Sequence, residues 1–330
     1  MPTVDWADQT VLARTAATLQ WESVDQDGAR VAPGGAVTVD VSRSDGTSIV
    51  TALATAGSNP YTAALTAAQV GASPDQLTAT WKTGATTLAT TVVDVAGGAF
   101  FSVSEARTSD PVLVDEARYP TATVARVRRV VERECELICG VSFVPRWKLV
   151  LIDGRGESDL TVPVALPRTV RTASVAGVAL TAPELADLTI DGPSRTVWRP
   201  DGVVWPYGRR NVLLGIEHGY ASPPPDLVEA CLWRAFDLLQ TPLRSRDLDR
   251  ALRMTVQSGT TYDLSKPTAL TTGLPAVDAV YARYSETRSK SGVLAGGMGA
   301  GGGAGSPMAA ASRTLDFDPQ YGSMFHGGRR

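Results

Sequence analysis

The sequence predicts an α+β multidomain chain, and three observations predict it. Up to about residue 97, apolar and polar side chains alternate with period two between turn dipeptides. Within 121–139 and 226–240, apolar residues recur at helical steps of three and four. From Gly292 to Gly305 the chain is mostly Gly and Ala, which no packed core can use. The expected architecture is an N-terminal Ig-like β-sandwich (1–97), then a helical domain with a β-strand insertion (98–290), then an extended C-terminal tail (291–330).

The first region earns its assignment from strands and turns. Val37, Val39 and Val41 alternate with Thr38, Asp40 and Ser42, and Leu77, Ala79 and Trp81 alternate with Thr78, Thr80 and Lys82. Asp27-Gly28, Pro33-Gly34-Gly35, Asp45-Gly46, Asn59-Pro60 and Gly71-Ala72-Ser73-Pro74 supply the turns between runs. Several short strands at this spacing suggest a small sandwich of immunoglobulin-like architecture. Trp21 and Trp81 are expected in its core. Gly97-Gly98 marks its end.

The second region begins with Ser102 or Ser104 as a helix cap, with Glu105 early in the helix. A long helix follows over 121–139, its stripe formed by Val124, Val127, Val131, Cys135 and Ile138, with Gly140 just past its end. The β insertion occupies 144–218, with strands expected at 147–153, 159–164, 169–175, 188–191, 196–199 and 211–218. Asp153-Gly154, Asp191-Gly192 and Asp201-Gly202 are turn signals within it. Helices are then expected at 226–240, 244–254 and 275–289. The first of these should bury Val228, Cys231, Leu232, Ala235, Leu238 and Leu239, and Pro242 stops it.

Composition narrows the function classes. The formal net charge is -3, with 43% hydrophobic and 20% charged residues, as in a folded protein without a dedicated nucleic-acid surface. No stretch has the apolar length to cross a bilayer, and no membrane partner is expected. The N-terminus has neither a charged region nor an apolar core of a signal peptide. The three cysteines, Cys135, Cys139 and Cys231, all fall in predicted helices and are expected to pack there.

Chemistry is sparse. His218 and His326 are the only histidines, so any Ser-His-Asp or Cys-His arrangement would have to use one of them. There is no Cys-x-x-Cys, no His-Glu-x-x-His and no Gly-Lys-Ser/Thr. Neither a catalytic site nor a cofactor or metal is expected. Arginines do cluster: Arg126, Arg128, Arg129 and Arg133 on one helix, and Arg244, Arg246, Arg250 and Arg253 in another region that also holds Asp247 and Asp249. Arg126, Arg129, Arg133, Arg244, Arg246 and Arg250 are candidates for a channel wall or for ion pairs between subunits. The interleaved acids favour solvated or inter-subunit pairing over DNA binding. In the tail, Leu315, Phe317, Tyr321, Met324 and Phe325 form a sticky tip beyond the Gly-rich tether and are candidates for docking.

One order of marks stands out between 101 and 240. A helix ends in Cys139-Gly140. The strand at 147–153, Leu166-Pro167-Arg168-Thr169-Val170, and a strand ending Glu217-His218-Gly219-Tyr220 follow. Pro223-Pro224-Pro225 and a helix at 227–239 complete the order. In this order the chain resembles the head-to-tail connector (adaptor) proteins of long-tailed double-stranded DNA bacteriophages. The resemblance implies a non-enzymatic virion protein in the neck, made in the host cytoplasm. Its copies would form a dodecameric ring beneath the portal protein and continue the DNA channel toward the next neck or tail protein. Its contact with double-stranded DNA would be transient and non-specific. The N-terminal sandwich and the long tail depart from the minimal family. A carbohydrate- or surface-binding decoration protein, or another neck protein such as a stopper or tail terminator, is the alternative reading.

Overall fold

In a computed structural model the chain is an α+β protein with several separate sheets and hydrophobic cores. The structure describes residues 9–240 apart from Gln26, Ser58 and Asp201, together with 253–255, 261–263 and 271–285.

The N-terminal region contains β1 (Gln9–Leu12), β2 (Ala17–Trp21), β3 (Val37–Ser42), β4 (Ser48–Ala54), β5 (Tyr61–Leu65), the short helix α1 (Ala67–Val70), β6 (Asp75–Thr83) and β7 (Thr86–Ala96). Five strands form one sheet in the order β1-β7-β6-β3-β4, and β2 with β5 forms a second. The two face each other across one core because their alternating residues have nowhere else to exclude water. Val39, Leu77, Ala79 and Trp81 come from the large sheet, and Leu19, Trp21, Ala63 and Leu65 from the small one. Trp21 stacks between Tyr61 and Trp81, at 5.7 Å from each ring centroid. Trp81 satisfies its buried indole N–H by donating to Thr91 Oγ1 at 3.0 Å. Both tryptophans are buried, as the alternation requires.

Gly97 explains itself sterically. A Cβ there would lie 2.8 Å from the Pro145 ring, and its N–H donates to Pro145 O at 2.8 Å. The chain then enters α2 (Val103–Ser109), whose N-terminus is closed by a capping box between Ser102 and Glu105. A 3-10 turn (Pro111–Val114) leads to α3 (Thr121–Cys139), which ends at Gly140 in the left-handed conformation with φ 73°. The insertion then supplies β8 (Arg146–Gly154), β9 (Asp159–Thr161), β10 (Pro167–Val175), β11 (Val178–Ala179), α4 (Ala182–Ala186), β12 (Thr189–Asp191), β13 (Thr196–Trp198) and β14 (Gly208–His218). Its main sheet is antiparallel in the order β11-β10-β14-β8, and β12-β13-β9 forms a smaller one. Trp205, Val197, Val212, Leu214 and Ile216 fill the core between them. Helix α5 (Pro225–Gln240) follows, then the ribbon β15 (Arg253–Thr255) and β16 (Thr261–Asp263), then α6 (Pro275–Tyr284). Helices α3, α5 and α6 share a third core.

Several expectations need correction. Residues 162–164 lie outside the strand that was expected to include them. Strand β11 and helix α4 were not foreseen, although Thr181 and Glu184 form a capping box. The helix expected over 244–254 falls mostly outside the described residues, and its last two positions are strand, paired with β16. The helix expected to 289 stops at Tyr284, because Ser285 is extended. Helix α5 is also rotated from its predicted phase. Leu227, Ala230 and Arg234 are buried, whereas Val228, Leu232 and Leu238 are only partly so. Arg234 tolerates burial because Glu134 accepts from it at 2.8 and 2.9 Å and Asp237 at 3.0 Å.

The helical core and the main sheet meet where residues 142–144 pass Gly219-Tyr220. Tyr220 N–H donates to Ser142 O at 3.0 Å, and the Phe143 ring stacks on Tyr220 at 5.3 Å. Gly219 has φ 95°, and a Cβ there would sit 2.7 Å from Val144 O and 2.8 Å from Ser142 O. Gly219→Ala should therefore destabilise the protein by more than about 1 kcal/mol, read as a lowered urea midpoint. Trp81→Ala, which empties the centre of the sandwich, should cost about 3–5 kcal/mol in the same assay.

Candidate functional site

Helix α3 sorts its charges between two environments. Arg126, Arg129 and Arg133 are on its exposed side. Arg128, grouped with them by sequence, turns inward: it donates to Phe101 O at 3.2 Å and its Nε lies 3.6 Å from Glu132. Glu132 is buried and accepts from Phe100 N–H at 2.8 Å. Burial raises the Glu132 pKa above the usual carboxylate range, and the Phe100 N–H and Arg128 oppose that shift. Glu132 and Arg128 thus fasten the start of α2 to α3, a role that spacing alone does not reveal.

A groove of about 670 Å³ lies beside this helix. Arg129, Arg133, Glu136 and Leu137 of α3 form one wall; Arg146, Lys148, Leu149 and His218 continue it, and Asp75, Gln76 and Asp94 of the sandwich face them. Its charges are partly committed. Arg146 pairs with Glu136 at 3.2 Å, Glu136 also accepts from Ser142 Oγ at 2.7 Å, and Asp75 pairs with Arg43 at 3.0 Å. His218 ends β14 opposite Arg146, and its Nδ1 is buried with no hydrogen-bond partner among the described residues. Burial, reinforced by Lys148 and Arg146, pushes its pKa down to about 4. It is therefore a neutral ring at pH 7.

Apolar side chains that reach solvent include some on α3, α5 and β8. Val130 and Leu137 do so on α3, and Trp233 on α5, 56% exposed beside Leu232, Phe236 and Leu113. Leu149 and Leu151 are each 44% exposed on β8. The run Trp147-Lys-Leu-Val-Leu-Ile marks a strand but not which of its two faces is covered, and these two leucines were missed. Val150 and Ile152 face the core of the insertion, so Leu149 and Leu151 are left on the opposite face. On the sandwich, Trp21, Tyr61 and Trp81 are buried and offer no aromatic platform to a sugar. The three cysteines are free and buried, and Cys231 Sγ lies 3.4 Å from Tyr281 Oη. Burial drives the Cys135 thiol pKa upward, so it packs as an apolar group. Among the described residues no helix is long and apolar enough to cross a membrane, and no group of three or more His, Cys, Asp and Glu is placed to hold a metal.

The structure places Arg126, Arg129 and Arg133 together on one helix face. Arg244, Arg246, Arg250, Leu315, Phe317, Tyr321, Met324 and Phe325 lie outside the described residues.

No protein-family model matches the chain, and no curated protein matches it. Among solved structures it is similar to a chain of the "Neck of empty GTA particle computed with C6 symmetry", with 18% identity, a TM-score of 0.37, and coverage of 56% of this chain and 89% of that one. A chain of the "Neck of native GTA particle computed with C12 symmetry" gives 15% identity, a TM-score of 0.33, and coverage of 56% and 93%. Scores this low do not establish a shared fold.

His218 gives the groove a pH signature. It titrates near 6.5 when unfolded and near 4 when folded, so the unfolded chain holds the extra proton between those values. Its contribution to stability is complete above pH 6.5 and is lost as pH falls to 4, by up to roughly 3 kcal/mol. Urea unfolding of His218→Gln should show a shallower pH dependence than the wild type across that window.

Proposed function

We propose that the chain is a structural subunit of the neck of a phage-like virion. Copies of it would form a ring beneath the portal that joins the DNA-filled head to the tail and continues the DNA channel. One observation carries this reading. The marks that resemble the connector proteins converge at a single junction: the end of α3 with Gly140, the start of β8, and Gly219-Tyr220 after β14 lock together, and α5 packs on α3 beside them. The separated motifs thus serve one construction, a helical core tied to a sheet. That the two solved structures above are necks of GTA particles is in keeping with this reading, which does not rest on them.

The surfaces suit such a role. Head-to-tail association into a closed ring needs two different patches on each subunit. One is available on α3 and the groove, with Arg126, Arg129, Arg133 and Leu137. Another is available on α5, with Trp233, Leu232 and Phe236. A net charge of -3 keeps the protein from gripping DNA that must pass. The tip residues Leu315, Phe317, Tyr321, Met324 and Phe325 would dock on the portal or clasp a neighbouring subunit. Arg244, Arg246 and Arg250 would join the other arginines at the channel or between subunits.

The test is copy number and position in purified particles, by quantitative mass spectrometry with particle imaging. A count equal to that of the portal protein, confined to one vertex, is expected. A count in the hundreds, or absence from particles, would overturn the reading.

A further inference from the structure

Strand β8 is the last strand of its sheet, paired with β14 on one side only. An unpaired edge exposes a row of backbone donors and acceptors, which is a template for another strand. This edge carries Leu149 and Leu151 on one face, with Lys148 exposed near one end and Asp153 near the other. The tail contains a segment that matches it. Arg313-Thr314-Leu315-Asp316-Phe317-Asp318 alternates strictly after Thr314, has its two large apolar residues at i and i+2, and is ended by Pro319, which cannot donate to a ladder.

We propose that residues 313–318 of a neighbouring copy add to β8 as an antiparallel fifth strand, with Leu315 opposite Leu151 and Phe317 opposite Leu149. That register sets Arg313 opposite Asp153 and Asp318 opposite Lys148, so opposite charges meet at both ends. It also sets Thr314 opposite Ile152 and Asp316 opposite Val150, diagonal to Lys148. The parallel register that keeps both apolar pairs sets Arg313 beside Trp147 and Asp318 beside Ile152, and leaves the charges unmatched. The backbone has capacity for the strand and the side chains select its direction.

The spacer is long enough to reach a neighbour. Ser285 Oγ bonds to Ile138 O, so the described chain ends beside the last turn of α3, which leads directly into β8. Residues 286–312, if they behave as a Gly-rich coil, have a root-mean-square length of roughly 30 Å. That reach covers an adjacent subunit as well as the chain's own β8, and a closed ring holds such a subunit beside every copy. The inference rests on the ring reading above and names how adjacent copies are fastened.

The test uses the full-length chain with paired cysteines, the three native ones being buried. Under mild oxidation, Leu151→Cys with Leu315→Cys should form disulfides between chains, separable on a non-reducing gel. Leu151→Cys with Asp316→Cys, which places the second thiol on the other face, should form few. Lys148→Glu should reduce cross-linking in the first pair, and adding Asp318→Lys should restore it. Disulfides within one chain, equal yields from both pairs, or none at all would overturn the proposal. Native mass spectrometry of the wild type separates this result from the ring reading. Closed rings without the inter-chain disulfide sink the strand pairing alone. The inter-chain disulfide without closed rings supports the pairing and counts against the ring.

Discussion

One crossing of the chain holds the helical and sheet parts in a fixed relation. Residues 142–144 pass so close to Gly219 that two carbonyl oxygens occupy the space a Cβ would need, while Phe143 and Tyr220 stack alongside. Phe143 also meets Phe100 and Tyr284 edge-on, at 5.9 and 5.7 Å. One ring therefore contacts residues that precede α2, follow β14 and close α6. The aromatic cluster can form only if the backbone approaches this closely, and the backbone can approach only at a glycine.

Charges that sequence patterns assign to the surface perform internal fastening. Arg128 and Glu132 tie residues 100 and 101 to α3, and Arg234 with Glu134 and Asp237 ties α5 to α3. Such groups are costly to bury and are retained only with good hydrogen-bonding geometry. They fix which faces of α3 and α5 turn inward. They also explain why Val130, Leu137 and Trp233 are left outside: the inward positions of the helical repeat are occupied by charged pairs as well as by apolar residues.

Much of the fold was legible because it follows periodicity. The stripe of α3, the alternation of β3 and β6, and the cap at Ser102 are local properties of the chain. What was not legible depends on distant partners. The phase of α5 could not be read without knowing that Arg234 meets Glu134, a hundred residues earlier in the chain. The exposure of Leu149 and Leu151 could not be read from an apolar run, since only the packing of the sheet decides which face of β8 meets the core. Of the candidate residues, Arg126, Arg129 and Arg133 share one face as their spacing dictates. The groove beside them joins residues from 10 to 218 and had no local signal.

The sandwich and the rest of the chain keep separate cores, and this sets how force would travel between them. Their contacts include Gly97 N–H on Pro145 O and Arg171 Nη1 on Pro74 O at 2.5 Å, with Arg171 held in turn by Glu217 at 2.6 Å. A pull on the sandwich is borne by these polar links, by the close approach of Gly97 to the rings of Pro145 and Pro74, and by the chain itself. Under load the joint should yield before either core opens, and reform when the load is released, much as a sprung hinge protects the two plates it connects.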